Sequence, residues 1–334
     1  MWLLSLIQLP MLFRGNFVHT PHLGTLGILE DHLIGGISNL YVVFPSSYQT
    51  RSVGLFHNPG GKSHSYQYIA VNEEGVISHF LPASSPTSLQ LLEDSPAGQT
   101  LHTIPDGSFL LPTFCDLHLH APQFLYQGTG LDLPLMQWLD NYALKSEARM
   151  DQNPALARRV YTRLALNLKE YGTGSVLLFG TIKEETKCDL ILRSIFFFMT
   201  TFYISLILAE CMQSAGIRGF IGKLSMDIDI RSPDSRTVTY VEPTASASLH
   251  AAKSFVGRCL GLVEHLPTSQ RLIEPVLTPR FVPTCTNDLL RGLADLSERQ
   301  NLKVQSHLAE AKDQVEWVRN ERNMEDIDVF DKVN

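Results

Sequence analysis

The second two-thirds of the chain alternates between two patterns of hydrophobic residues. Short apolar runs of strand length are separated by longer segments in which apolar residues recur every three or four positions. The strand-like runs cover 109–114, 175–179, 219–224, 274–280 and 302–307, and helical segments cover 154–171, 245–262 and 288–299. Strands that alternate with helices predict a parallel β/α architecture. About five such units, with the chain ending soon after the fifth, predict a (β/α)8 TIM-like barrel that is incomplete at its C-terminus.

The first third of the chain has a different pattern. Apolar and polar residues alternate in short stretches such as 17–20 and 75–80, which predicts strands joined by turns. We therefore expect a small N-terminal β-sandwich domain over 1–109 and the barrel domain over 110–334. Residues 37–66 are rich in Ser, Gly, Asn and Pro without a clear period, which is typical of a loop or an insertion.

One segment of the barrel region interrupts the alternation. Residues 190–209 read LILRSIFFFMTTFYISLILA, in which Arg193 is the single charge. Twenty such residues meet the length rule for a membrane span. The alternative is a buried or misplaced apolar segment between two barrel elements. We favour the alternative, because a lone span would put the two halves of the barrel on opposite sides of a membrane.

Composition narrows the classes of function. The net charge of -7 and the pI of about 5.9 argue against general binding of nucleic acid or of an anionic membrane, both of which need a basic surface. A small polar substrate or a protein partner is more compatible. The five cysteines include no CxxC pair, which favours a reducing compartment and hence a cytoplasmic location.

The strongest chemical signal is a pair of histidines after an apolar strand. Residues two apart in a strand point the same way, so His118 and His120 converge at a strand's carboxyl end, where barrel enzymes build their sites. Neutral imidazoles suit a zinc or iron ion. Two solvent-facing histidines on an edge strand are the alternative, and the position of the pair after strand-Pro-x-Phe favours the metal.

Four further residues have roles that stay open on the residues alone. His307 ends a strand and could complete a set of imidazole ligands, with Glu310 three residues later to move protons. Without the histidines, Glu310 would be an ordinary helical surface residue. Arg280 could hold the carbonyl oxygen of a planar substrate or form an ordinary salt bridge. The amide of Gln123 can both donate and accept, which suits the edge of a purine.

These residues lie in motifs that resemble those of the guanine deaminases, a family of the amidohydrolase superfamily. The motifs are PTFCDLHLHAPQ at 112–123, GTGLDLPL at 128–135 followed by Trp138-Leu139, YGTG at 171–174, TPRF at 278–281 and QSHLAE at 305–310. The resemblance covers roughly 14–36, 69–187 and 206–334. HxHAPQ with a downstream SHxxE is specific, whereas HxH alone marks the wider superfamily.

The resemblance implies a function and roles for single residues. Zn²⁺ would be bound by His118, His120 and His307, and guanine would be contacted by His120, Gln123, Arg280, Phe281, His307 and Glu310. Glu310 would also carry protons while an activated water attacks the purine carbon that bears the exocyclic amine, which releases ammonia and leaves xanthine. The family is commonly dimeric, so a homodimer is expected. Another amidohydrolase that acts on a different heterocycle is the alternative.

The chain departs from the family pattern in three places. Residues 37–66 and 188–205 have no counterpart, and both resemble untranslated sequence that has been read through. The resemblance also places a further metal His and a metal Asp later in the barrel, after Asn334. We therefore expect the 334-residue chain by itself to be an inactive or nearly inactive truncated form.

Deletion of 188–205 should raise the yield of soluble protein. The segment interrupts a βα connection, where loops are usually about 2 to 6 residues long, and its Phe-rich run would promote aggregation if it were exposed. The measurement compares the soluble fractions of the two proteins after expression. Loss of membrane association by an otherwise stable deletion variant would instead support a membrane span.

Overall fold

The computed structural model describes some parts of the chain by their backbone alone and others with their side chains. It gives backbone alone for 12–19, 27–32, 40–43, 67–71, 77–80, 101–103 and 109–111, and backbone with side chains for 81–94, 112–183, 204–231 and 239–333. Apart from Leu40–Val43, the predicted insertion 37–66 lies outside the described residues. The chain divides into two compact units, Met1–Phe114 and Cys115–Asn334.

The described residues of the first unit form seven strands and one helix. They are β1 (Leu12–His19), β2 (Gly27–His32), β3 (Leu40–Val43), β4 (Gln67–Val71), β5 (Ile77–Pro82), α1 (Pro86–Glu93), β6 (Leu101–Thr103) and β7 (Phe109–Pro112). β1 pairs antiparallel with β2 and β4 and parallel with β6 and β7, and all seven strands belong to one sheet. The β-sandwich domain and its boundary after residue 109 stay predictions.

The second unit is built on a parallel sheet. Its elements are β8 (Phe114–His120), α2 (Leu135–Trp138), α3 (Leu144–Gln152), α4 (Pro154–Glu170), β9 (Thr173–Phe179), α5 (Ile204–Ala215), β10 (Arg218–Ser225), α6 (Ala245–Val263), β11 (Ile273–Pro279), α7 (Asn287–Gln300), β12 (Lys303–Val304), α8 (Lys312–Arg322) and α9 (Asp326–Val333). The strands lie in the order β12-β11-β10-β9-β8, and β9 to β12 are paired in parallel. The predicted parallel β/α architecture is confirmed, and the sheet forms half of a TIM-like barrel. Closure of the barrel with eight strands stays a prediction.

The helix α4 shows how the sequence sets the elements around this sheet. Asn153 precedes the helix, and its side-chain oxygen accepts a hydrogen bond of 3.0 Å from the backbone N–H of Leu156. Pro154 occupies the first turn, where no backbone N–H is needed. Val160, Leu164 and Leu168 recur on one buried face and join the core between the helices and the sheet. Burying each such side chain stabilises the fold by about 1.5–3 kcal/mol.

The structure corrects the predicted strand at 109–114. Residues Phe109–Pro112 form β7, which pairs with β1 and β3 in the first unit, and the first strand of the parallel sheet is β8. The break lies at Thr113, directly after Pro112, which has no N–H to donate to a ladder. The two histidines therefore lie within the last residues of β8 instead of after a strand.

The predicted strand at 302–307 is also shorter than expected. Regular pairing covers β12 alone, where Lys303 and Val304 lie opposite Val276 and Leu277. Two residues further along β11 stands Pro279, which lacks the N–H that a regular ladder would use. The chain from Gln305 to His307 instead bends towards Arg280, whose carbonyl oxygen accepts the His307 N–H at 3.1 Å.

The apolar run 190–209 ends inside a core helix. The structure describes it from Ile204 onward, where Ile204 is fully buried and the hydroxyl of Ser205 donates to Thr181 O at 3.4 Å. These two residues belong to α5 although they lie within the predicted insertion 188–205, and residues 188–203 lie outside the described residues. The insertion itself stays a prediction. Among the described residues, no helix is both long enough and apolar enough to cross a bilayer.

A buried amide braces the centre of the parallel sheet. Gln305 Nε2 donates to Leu178 O and to Thr278 Oγ1, both at 2.9 Å, and so connects the chain after β12 to β9 and β11. The Gln305 side chain can pass over β10, which lies between β9 and β11, because residue 222 of that strand is glycine. A Cβ on Gly222 would lie 2.9 Å from Leu178 O and even closer to Thr278 Oγ1 and Gln305 Nε2.

Gly222→Ala should therefore destabilise the protein. The added methyl group has to displace the Gln305 amide, and overpacking of this kind costs about 1–3 kcal/mol. Urea unfolding of the two proteins measures the difference. Gly257→Ala is the matched control, because a Cβ there meets nothing within 4 Å and alanine favours the helix α6. Equal stability of Gly222→Ala and the parent protein would show that the brace is not needed.

Candidate metal centre

Three histidines from opposite edges of the parallel sheet meet at its carboxyl end. His118 and His120 end β8, and His307 follows β12. Their candidate ligand nitrogens all lie within 4.8 Å of one another, and no other such group of His, Cys, Asp and Glu occurs among the described residues. Because alternate residues of a strand share a face, the two-residue spacing brings both β8 imidazoles to the same point.

Backbone contacts fix the orientation of His307. Its Nδ1 lies 2.6 Å from the carbonyl oxygen of Arg280, which can only accept, so Nδ1 carries the proton and Nε2 keeps a lone pair. That Nε2 lies 2.9 Å from Nε2 of His120. Nitrogen ligands of a tetrahedral zinc ion lie about 3.4 Å apart, given Zn–N bonds of about 2.0–2.1 Å. A shift of about half an ångström would therefore let both nitrogens bind one ion.

Burial favours the neutral forms of His120 and His307. It lowers the pKa of His120 well below its usual value, and the positive charges of His307, Arg280 and His118 add to the shift. Burial also lowers the pKa of His307 to about 4, although its hydrogen bond to the Arg280 carbonyl opposes that shift. Neutral imidazole is the form that binds metal ions, so the protonation states fit a metal centre.

Phe179 forms an aromatic floor beneath the three histidines. Its ring centroid lies 4.8 Å from that of His118, 4.4 Å from that of His120 and 4.5 Å from that of His307, and it is almost parallel to the His120 ring. The sequence predicted the strand that Phe179 ends but no role for the residue. Its place as the last residue of a barrel strand was the available signal, since strand ends meet at the site.

Arg280 is the largest fully buried side chain near the histidines. Its Nη1 donates to Glu147 Oε2 at 2.7 Å, and neither side chain is more than 2% exposed. The salt bridge that the sequence left open is therefore present. Its Nη2 has no hydrogen-bond partner within the described part of the chain, so the guanidinium also keeps a free donor. Sequence reasoning missed Glu147, because a lone glutamate on a helix is usually a surface residue.

All seven predicted site residues line one cavity. It has a volume of about 330 Å³, within the range usual for small-molecule sites. The predicted residues in its wall are His118, His120, Gln123, Arg280, Phe281, His307 and Glu310. Gln123 belongs to a short 3-10 helix, Ala121–Tyr126, that directly follows the two histidines. The substrate and metal roles of these residues stay predictions.

Glu310 is held at the rim of the cavity by a strained turn. Ala309 has a φ of 47°, in the left-handed region, and its N–H donates to Asp326 Oδ2 at 3.2 Å. The N–H of Glu310 donates to Gln314 Oε1 at 3.0 Å. Partial burial of the carboxylate raises the pKa of Glu310, while the charges of His118 and Arg280 oppose that rise. The turn thus keeps a proton acceptor beside the histidines.

The remaining wall of the cavity is mostly apolar. It consists of Leu119, Gln127, Leu135, Trp138 and Leu139. The segment that carries the last three is fixed from outside, since the N–H of Met136 donates to Asp313 Oδ2 at 3.1 Å. An apolar wall with a few polar groups excludes water and orients a flat ligand. The sequence named Trp138 and Leu139 only as part of a motif and not as site residues.

Residues 109–326 match the model of the amidohydrolase family. The chain belongs to the amidohydrolase family. The matched region contains β8 to β12 and all seven predicted site residues.

Comparisons with single proteins confirm the resemblance expected from the sequence. This amidohydrolase is 31% identical to the guanine deaminase of Dictyostelium discoideum over an alignment of 317 residues, and the alignment covers 92% of this chain and 55% of that protein. The crystal structure of guanine deaminase from C. acetobutylicum with bound guanine superposes with a TM-score of 0.68 at 24% identity, over 97% of this chain and 59% of that one. An adenosine deaminase from Xanthomonas campestris with bound zinc gives a TM-score of 0.62 at 19% identity, over 97% of this chain and 54% of that one.

The comparisons concern the fold of the chain and only part of the length of its relatives. The two structural likenesses establish the amidohydrolase fold of the chain. The chain spans about half to three-fifths of the length of the relatives that it matches. The activity and the substrate of the whole protein are therefore proposals.

Asp151, on the helix α3 that also carries Glu147, should make stability depend on pH. Burial raises its pKa to about 7, although its carboxylate accepts hydrogen bonds from Tyr240 Oη at 2.6 Å and from the Lys183 N–H at 3.2 Å. Between about pH 4 and pH 7 the unfolded chain loses this proton while the folded protein keeps it. The free energy of unfolding should thus fall by about 1.4 kcal/mol per pH unit from this group, and level off above pH 7.

Urea unfolding of the parent protein and of Asp151→Asn across this range tests the effect. The stability of the parent relative to the variant should decline as the pH rises, because asparagine has no proton to lose. Asp331→Asn, an exposed change on α9, is the matched control. Parallel pH profiles for the parent protein and Asp151→Asn would contradict the prediction.

Proposed function

We propose that the protein catalyses the hydrolytic deamination of guanine to xanthine and ammonia. One observation carries the proposal: three imidazoles, a buried guanidinium donor and a carboxylate line a single cavity. This combination suits a metal-dependent attack by water on a planar substrate that has a carbonyl oxygen. The relatives named guanine deaminase support the choice of guanine over another heterocycle.

A metal ion, Zn²⁺ in our proposal, would be held by His118, His120 and His307. The fit rests on the donor set, since three imidazole nitrogens within 4.8 Å of one another match zinc's preference for nitrogen ligands. When bound, zinc lowers the pKa of water to about 7 and so supplies a nucleophile at neutral pH. The protein's part is to orient the imidazoles, which the Arg280 carbonyl does for His307.

Arg280 and Gln123 would hold the substrate. The unpaired Nη2 of Arg280 can donate to the guanine carbonyl oxygen, and the Gln123 amide can pair with a ring edge that both donates and accepts. Adenine carries an amine where guanine carries this carbonyl, so two donors would face each other in the buried site. Such a mismatch discriminates strongly, because the buried donor loses its partner. Phe281, which is 2% exposed, adds an apolar contact in the cavity wall.

Glu310 would carry the proton. Its carboxylate lies at the rim of the same cavity as the histidines and can accept a proton from the attacking water. It would then deliver this proton to the departing amine, so that ammonia leaves as a neutral molecule. A homodimer and a cytoplasmic location, both expected from the sequence, remain predictions, as does the absence of nucleic-acid and membrane partners.

The proposal predicts ammonia release from guanine and not from adenine by the full-length protein with zinc. Glu310→Gln should keep the zinc and lose several orders of magnitude in rate, because the amide fills the same space without carrying a proton. Coupled ammonia detection and metal analysis of the purified proteins provide the two measurements. Glu316→Gln, an exposed change on α8, is the matched control.

Three results would count against the proposal in different ways. Equal turnover of guanine and adenine would reject the substrate. Loss of zinc in Glu310→Gln would mean that Glu310 is a ligand or a structural residue. A purified parent protein that takes up no zinc would reject the hydrolytic mechanism as a whole.

A further inference from the structure

The ion pair between Arg280 and Glu147 is unusual because it is almost completely withdrawn from water. Glu147 lies on α3 and is 0% exposed, and Arg280, directly after β11, is 2% exposed. The two residues are 133 positions apart in the sequence and are joined by one hydrogen bond of 2.7 Å. Burying two charges is costly unless their polar atoms are paired, and hydrophobic residues of the same volume are often at least as stable. A stabilising role alone therefore explains this pair poorly.

Each member of the ion pair also has one polar atom without a hydrogen-bond partner among the described residues. Arg280 Nη2 and Glu147 Oε1 each lack a hydrogen-bond partner among the described side and main chains. Of the two residues, Arg280 lines the cavity and Glu147 does not. The Glu147 carboxylate thus holds Nη1 of the guanidinium, while Nη2 keeps an unused donor on a residue that lines the cavity.

This arrangement controls charge as well as position. An unpaired guanidinium would put a full positive charge next to three imidazoles that are meant to bind a cation. Glu147 compensates that charge, so the cavity contains a strong hydrogen-bond donor with little net charge. A neutral carbonyl oxygen is the acceptor that such a donor suits, whereas a bare cation would favour an anion.

We propose that Glu147 is a specificity-determining positioning residue, which fixes the Arg280 guanidinium so that Nη2 meets the oxo group of a purine. The inference rests on the proposed function, since it names how the oxo group of that substrate is selected. Glu147 itself touches no substrate and acts through Arg280. Removal of the Glu147 carboxylate should therefore abolish the preference for oxopurines, while the binding of purines in general should remain.

The test uses two ligands that differ by the oxo group and the N1–H that accompanies it, and that carry no amine that could be released. Hypoxanthine has the oxo group and purine lacks it, and isothermal titration of the zinc-loaded protein gives the affinity for each. One hydrogen bond from a charged donor should make the parent protein prefer hypoxanthine by about 10- to 100-fold. In Glu147→Gln this preference should shrink to less than about 3-fold, with purine binding unchanged within about 3-fold. Glu264→Gln, an exposed change just after α6, is the matched control.

Two further variants separate positioning from a structural role. Arg280→Lys should lose the same preference, and the double variant Glu147→Gln/Arg280→Lys should be no worse than Arg280→Lys alone, because both changes remove one interaction. Glu147→Asp keeps the charge but shortens the side chain by one methylene group, so it should fold and retain only part of the preference. If Glu147→Gln fails to fold, Glu147→Asp and Arg280→Lys carry the test.

The outcomes separate this inference from the proposed function. A parent protein without any preference for hypoxanthine would show that Arg280 does not select an oxo group. That result would reject both the proposed substrate and the inference about Glu147. A parent protein with the preference, whose Glu147 variants keep it, would overturn the inference alone. An equal loss of hypoxanthine and purine binding in Glu147→Gln would also overturn it, because that is the result of a general structural defect.

Discussion

The candidate site depends on how one residue, Arg280, is fixed at the end of its strand. Its N–H donates to Ser225 O at 3.2 Å, and its carbonyl oxygen accepts the backbone N–H and the Nδ1–H of His307. Its guanidinium reaches back to Glu147. The same residue therefore joins three adjacent parallel strands, sets the tautomer of a candidate metal ligand and presents a donor to the cavity. Main chain and side chain at this position serve two different parts of the site.

Sequence patterns predicted the parts of the fold that depend on local physics. The amphipathic periodicity and the Asn153 cap of α4 are properties of a short segment, and they were readable without any tertiary information. The missed features depend on distant partners. Pro112 stands in an apolar run, and only pairing shows that β7 and β8 belong to different sheets. The shortening of β12 follows from Pro279 on the neighbouring strand, which periodicity along β12 cannot reveal.

In the candidate site, too, the residues identified from sequence are those with a local signal, and the missed ones depend on distant partners. The spacing of His118 and His120 encodes their convergence, because the geometry of a strand alone brings alternate residues to one face. His307 was identified by its place at a strand end, as was Arg280. Glu147 carried no such signal, since its burial comes from the packing of α3. Phe179 was visible as a strand residue, but its contact with three histidine rings arises only when β8 and the chain after β12 meet.

The contact of the Gln305 amide with Leu178 O and Thr278 Oγ1 also has a consequence for the chemical ageing of the protein. Gln305 gives both of its Nε2 protons to oxygen atoms, Leu178 O and Thr278 Oγ1, which have lone pairs on that side. Thr278 cannot reverse its role, because its own hydroxyl proton goes to Val276 O. Spontaneous deamidation, a recognised weakness of amide side chains, would put an anionic oxygen against these acceptors. Ageing at this one atom would loosen the strands that carry Phe179, Arg280 and His307, so the durability of the site depends on keeping water away from an amide that never meets the substrate.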